Sequence, residues 1–151
     1  MSGRVVQLAI SRGGVPKLPI AEARVTTYGI EGDRQRWKKI HGGPKRALCL
    51  FSADVIADLR AEGHPITAGA TGENVTIAGL AWSAIGPGTR LSIGGVLAEL
   101  TLVAAPCKQI AASFVGHDFR RLDAARGAAR WYACVVRAGL IRVGDPVAIA
   151  S

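Results

Sequence analysis

Pro106 and Cys107 stand where the apolar run of residues 101–105 gives way to a stretch that reads as a helix. A thiol on the first turn of a helix meets unpaired backbone N–H groups and the positive end of the helix dipole, and both favour thiolate over thiol. Pro106 suits the first helical position, where its missing N–H costs nothing. Lys108 adds a positive charge beside the thiol. Cys107 therefore has the local surroundings of a reactive or metal-binding thiolate. Cys49 in "ALCLF" and Cys134 in "YACVV" read instead as small buried hydrophobes within strands. His41, His64 and His117 are isolated from one another and from the cysteines, so the spacing predicts no zinc site.

Several glycine-rich loops carry basic or amide side chains. "HGGPKRAL" sets His41, Lys45 and Arg46 around Gly42 and Gly43, which let a ligand approach the backbone closely. These three side chains could bind an anion. "GATGENVT" sets Thr71 and Asn74 around a sharp turn, where the Asn74 amide has the donor and acceptor needed to read a heterocycle edge. "SRGGVPK" offers Arg12 and Lys17, and "GAARWY" offers Arg130, whose planar guanidinium binds phosphate in a bidentate way. Each loop alone also reads as an ordinary turn with solvated charge. Four such loops with one activated thiol form a stronger pattern.

The elements that position these loops are mainly strands. "GRVVQLAIS" predicts a first strand, "ARVTT" a second before a glycine turn, and "ALCLF" a third. Ser52 then has the character of an N-cap, with Asp54 in the first turn. Val55, Ile56 and Leu59 share a helical face, and Gly63 can end that helix. From Glu73 to Val103 short β-like runs alternate with Gly/Pro punctuation. The helix beginning at Pro106 follows, then a basic helical stretch around "DFRRLDAARG". The C-terminal "ARWYACVVRAGLIRVGDPVAIA" predicts a hairpin that turns at Ala138-Gly139, then a Gly-Asp-Pro turn and a last strand. There is no βαβ alternation, repeat or linker. The expected fold is mainly β: one domain over residues 1–151, a closed twisted β-barrel with two or three α-helices outside it or across its ends.

Composition narrows the function classes. With 151 residues and 49% hydrophobic side chains, the chain can bury one continuous core. Its 19 glycines, mostly at element boundaries, suit many short strands joined by tight turns. The net charge of +8 is dispersed, with no stacking aromatics between basic residues, which suits a small anionic ligand rather than nucleic acid. No apolar run reaches the length of a membrane span, and the N-terminus lacks the apolar core of a signal peptide. Three cysteines without a C-x-x-C point to a reducing, cytoplasmic setting.

Taken in order, "GGVPK", "GIEGDRQ", "HGGPKRALCLFS", "GATGENVTIAGLAW", "GPGTRLSIGG", "APCKQI" and "RWYACVVRAGLIRVGDPV" resemble the MOSC domain, named after the C-terminal part of molybdenum cofactor sulfurase. "HGGP", "GEN" and the "PC" pair are the diagnostic parts. The resemblance implies a pyruvate-kinase-type barrel and a bound molybdenum cofactor. It implies Cys107 as the molybdenum ligand, a role that passes to neither Cys49 nor Cys134. It also implies Lys17, Arg46, Thr71, Asn74 and Arg130 as the residues around the phosphate and pterin. A soft thiolate suits a metal already held by dithiolene sulfurs.

Two functions follow from the resemblance. One is a molybdenum-dependent reductase of N-hydroxylated compounds, in which His41, with an ordinary pKa near neutrality, could supply protons. The other is a non-redox module, either a persulfide carrier at Cys107 or a handler of the molybdenum cofactor. Read as a bare domain, the chain needs a separate electron-donor protein or sulfur donor, together with a small-molecule substrate. Neither nucleic acid nor membrane is an expected partner.

Overall fold

The computed structural model describes residues 2–11, 15–33, 44–106, 108–122 and 128–150. Among these residues eleven strands run in chain order: β1 (Ser2–Ile10), β2 (Leu18–Ile20), β3 (Glu22–Thr26), β4 (Gly29–Ile30), β5 (Leu48–Ser52), β6 (Val75–Ala78), β7 (Arg90–Ile93), β8 (Val96–Ala104), β9 (Arg130–Arg137), β10 (Gly139–Arg142) and β11 (Pro146–Ile149). Seven of them close into a barrel in the order β11-β7-β8-β9-β5-β6-β1, with β1 pairing back onto β11. This is the expected closed β-barrel. β2 extends the sheet from β1, and β10, β3 and β4 form a separate three-stranded sheet.

The barrel follows from alternation. Along β8, Val96, Ala98 and Leu100 point inward while Leu97 and Glu99 are half-exposed. Every residue of β5 is buried, because its outer face is covered as well as its inner one. Leu8, Leu48, Leu50, Phe51, Ile77, Leu91 and Ile93 are fully enclosed in one core.

β5 and β6 pair in parallel, whereas the other barrel pairs are antiparallel. Parallel neighbours need a crossover, and α1 (Ala53–Ala61) supplies it. One βαβ unit is therefore present, a correction to the expectation of no βαβ alternation. The Ser52 hydroxyl accepts the Val55 N–H at 3.1 Å, as expected of an N-cap. Asp54 accepts the Gly79 N–H at 2.8 Å and so fastens the helix to the end of β6. Gly63, at φ +100°, ends the helix in the left-handed region.

Helical segments fall in the three places expected, but α1 is the α-helix among the described residues. The stretch after Pro106 is a 3-10 segment, Lys108–Ser113, followed by short 3-10 turns at Val115–His117 and Phe119–Leu122. Phe114 is extended and Gly116 is left-handed at φ +65°, so the backbone breaks before α-helical bonds can propagate.

The predicted C-terminal hairpin does not form. β9 pairs with β8 and β5, while β10 leaves the barrel and pairs with β3, setting Gly139 opposite Val25 and Arg142 opposite Glu22. Ala138 alone separates the two strands, too short a link to reverse the chain. Gly139 packs against the Gly95 backbone, where any Cβ would collide.

Candidate functional site

Two buried polar networks lie side by side on the barrel wall. The first centres on Arg130 at the start of β9, which is 6% exposed. Its Nη1 donates to the Thr71 carbonyl, and its Nη2 donates to the carbonyls of Ala104 at 3.2 Å and Ala105 at 3.1 Å. One guanidinium thus ties the 69–74 loop to the end of β8, just ahead of Pro106 and Cys107. Its Nε–H is buried without a hydrogen-bond partner among the described residues.

Glu73 lies behind this joint, fully buried. Its carboxylate accepts from the Gly69 N–H at 2.9 Å, the Thr71 hydroxyl at 2.9 Å and the Thr76 hydroxyl at 3.1 Å. Burial pushes its pKa above the ordinary carboxylate range, against the pull of the Gly69 N–H and the Thr71 hydroxyl. Gly69, at φ +83°, makes the close turn possible. A Cβ there would lie 2.8 Å from the Lys17 carbonyl oxygen.

The second network centres on Asp33. Oδ2 accepts from Lys17 Nζ at 2.7 Å and from Asn74 Nδ2 at 2.8 Å, and Oδ1 accepts the Ser11 N–H at 2.9 Å. Asn74 also donates to the Ala9 carbonyl at 3.3 Å, and its Oδ1 accepts the Cys49 N–H at 3.0 Å. The Lys17 N–H donates to the Gly69 carbonyl at 3.0 Å, joining the two networks.

Four nominated residues, Lys17, Thr71, Asn74 and Arg130, are therefore brought together, and all four are buried. Their roles differ from the sequence expectation. Both N–H bonds of the Asn74 amide are used inside the protein, so it is not poised to read a heterocycle edge. The Thr71 hydroxyl is committed to Glu73. Arg46 ends a 3-10 turn, Pro44–Arg46, and its guanidinium lies 5.2 Å from the centre of the Tyr132 ring. Tyr132 packs with Cys49 and Ala104 in a small cluster apart from the main core. Cys107, His41 and Arg12 lie outside the described residues.

Cys49 is a buried strand residue, as its pattern predicts, and burial pushes its thiol up to about 11 against the pull of Arg130. It stays protonated at neutral pH and is a poor nucleophile or ligand. The dipole argument for Cys107 weakens, since the six residues that follow form a 3-10 segment rather than an α-helix. Lys108 remains as the nearby charge. Sequence reasoning missed Asp33 and Glu73. Their signal was faint, an acid in "EGDR" and an acid beside Asn74 in "GEN".

Comparison with known proteins gives one consistent result. Residues 37–148 match the MOSC domain. Protein YiiM of Escherichia coli (strain K12) is 29% identical over 134 residues, covering 86% of this chain and 60% of that protein. Its crystal structure superposes with a TM-score of 0.75 at 24% identity, over all of this chain and 70% of that one. The uncharacterized protein YflK of Bacillus subtilis (strain 168) is 30% identical over 104 residues, 67% of this chain and 47% of its own length. YuaD of Bacillus subtilis shares the fold at a TM-score of 0.77 and 18% identity, matched over 97% of this chain and 94% of its own. The chain thus spans between about half and two thirds of the YflK and YiiM lengths. With "GEN" on a loop of a closed seven-stranded barrel and the family match covering residues 37–148, this chain belongs to the MOSC domain family, a family of molybdenum cofactor-related domains.

Proposed function

We propose that this domain binds the molybdenum cofactor and reduces N-hydroxylated compounds, with Cys107 as the protein's ligand to the metal. The observation that carries the reading is the Nε–H of Arg130, buried beside a surplus of positive charge and without an acceptor among the described residues. A buried N–H without an acceptor costs about 1–3 kcal/mol, and more when charged. An anionic ligand would supply the missing acceptor. Three cationic side chains, Lys17, Arg46 and Arg130, outnumber the two acids, Asp33 and Glu73. The residues therefore fit the phosphate end of the cofactor. They fit the pterin end less well, since the Asn74 amide is already engaged.

In this reading Arg130 and Lys17 hold the phosphate, and Arg46 on Tyr132 offers a flat cationic face to a planar ring. Glu73 and Asp33 keep the surrounding turns closed. The ligand role of Cys107 rests on the resemblance of "APCKQI" to the MOSC motif. When bound, the cofactor would supply a metal able to accept the oxygen atom of an N–OH group while giving up two electrons to the substrate. His41 is the proton donor in this proposal. Electrons come from a separate donor protein.

The test uses chain produced in a host that makes the cofactor, analysed for molybdenum and pterin, then supplied with a reduced viologen and an amidoxime. Repeated turnover that disappears in Cys107→Ser supports the reductase. Sulfur loading at Cys107 by a cysteine desulfurase, with no turnover, assigns the domain to sulfur carriage instead. Absence of both metal and pterin under these conditions refutes cofactor binding.

A further inference from the structure

Three chain segments converge on the Asp33 carboxylate, which was not among the expected site residues. Ser11 at the end of β1, Lys17 before β2 and Asn74 before β6 all donate to it, at 2.9, 2.7 and 2.8 Å. The side chains of Asp33 and Lys17 are each only 6% exposed. A lysine ammonium sits on a flexible four-carbon stem and binds phosphate as a mobile point charge. Pairing it with a buried carboxylate fixes one of its three N–H bonds. The tetrahedral geometry of the ammonium then directs the other two away from that carboxylate, and among the described residues neither has a partner.

We propose that Asp33 is the positioning residue of this site: without touching the ligand, it holds Lys17 and the Asn74 turn in the one arrangement that presents Lys17 to a phosphate group. The proposal rests on the anion-binding part of the reading above.

Two roles for Asp33 make opposite forecasts. If it only balances the Lys17 charge, removing its own charge makes the site more positive and tightens anion binding. If it positions Lys17, the same change weakens binding, because the amide of Asp33→Asn carries no charge to hold the ammonium and has one acceptor oxygen where the carboxylate had two. Asp33→Glu separates the roles in a second way. It keeps the charge and moves it by one methylene, so a purely electrostatic role leaves binding unchanged and a positioning role does not.

The experiment titrates the full chain, free of cofactor, with inorganic phosphate and follows the Lys17 side-chain and Asn74 amide signals by NMR. Lys17→Met, Asp33→Asn, Asp33→Glu and the double variant Asp33→Asn/Lys17→Met are compared, each with its melting curve. Phosphate affinity is expected to fall about tenfold or more in Lys17→Met, and by about fivefold or more in both Asp33 variants. The double variant, which leaves no unpaired buried charge, should bind no more weakly than Lys17→Met alone, since both changes remove one device. Should Asp33→Asn fail to fold, Asp33→Glu and the double variant decide the matter. Equal or tighter binding in a folded Asp33 variant overturns the proposal, as does additivity in the double variant or a wild-type chain that binds no phosphate at Lys17. Pterin loading is measured separately. Cofactor retained equally by wild type and the Asp33 variants removes this proposal and leaves the function standing. Asp33-dependent phosphate binding in a chain that never takes up pterin does the reverse.

Discussion

Arg121 grips the Glu62 carboxylate with two donors, Nε at 3.0 Å and Nη2 at 2.7 Å, and so ties the 3-10 run after Pro106 to the end of α1. His64 Nδ1 adds a second clasp by accepting the Val115 N–H at 3.1 Å. The Arg121 hydrogen bond holds the Glu62 carboxyl below its ordinary value of 4.5. The folded state then binds fewer protons than the unfolded state, so this contribution is complete above the ordinary value and fades as pH falls below it. Glu62→Gln should make the acid-side loss of stability shallower and speed amide exchange in residues 108–122. The effect should be small and sensitive to salt, as befits an exposed pair. Denaturant curves between neutral and acid pH, with hydrogen exchange, check it.

Glu73 should behave in the opposite sense. Its raised pKa means that the folded state binds more protons, so stability should fall as pH rises from 4.5 through the folded-state value. Glu73→Gln removes that slope while keeping an acceptor for the Gly69 N–H. Glu73→Ala leaves the Gly69, Thr71 and Thr76 donors without an acceptor and should cost about 2–4 kcal/mol. A Glu73→Gln variant with the wild-type pH slope would show that another group carries it.

Cysteine labelling should sort the thiols by burial. With iodoacetamide at mildly alkaline pH, Cys49 should resist alkylation until the chain unfolds, since its thiol stays protonated up to about 11. Cys134, which is half-buried, should react before it. Cys49→Ser should lower stability, because a hydroxyl in that apolar cluster lacks an assured partner. Peptide mass analysis against time reads both. Rapid labelling of folded Cys49 would contradict its placement on the barrel wall.

The barrel was legible because its signals are local. Val96, Ala98 and Leu100 alternate with half-exposed neighbours, and Ser52 and Gly63 mark the two ends of α1 through their own backbone preferences. The partner of β10 was not legible, since no residue of "GLIR" records that it pairs with β3 rather than β9. Asp33 escaped for the same reason. Its three donors lie 22, 16 and 41 residues away in the chain, and only the closed barrel gathers them. The roles of Thr71 and Asn74 were misread because their polar groups looked available until Glu73 and Asp33 were seen to occupy them.

Arg130→Lys tests whether charge or shape matters at the joint. Arg130 reaches three carbonyls, on Thr71, Ala104 and Ala105, from one planar group, and its Nε–H has no acceptor among the described residues. Lysine keeps the positive charge but lacks the fork, so it cannot span the 69–74 loop and the end of β8 together. Two of the three carbonyls should lose their donor, at about 1–3 kcal/mol each where water cannot replace it. Melting temperature should fall accordingly. Cofactor retention should fall further than in a control variant of equal stability loss elsewhere, such as Leu91→Val in the fully buried core. If Arg130→Lys retains as much pterin as that control, the positive charge alone suffices and the unpaired Nε–H is not the contact that holds the ligand.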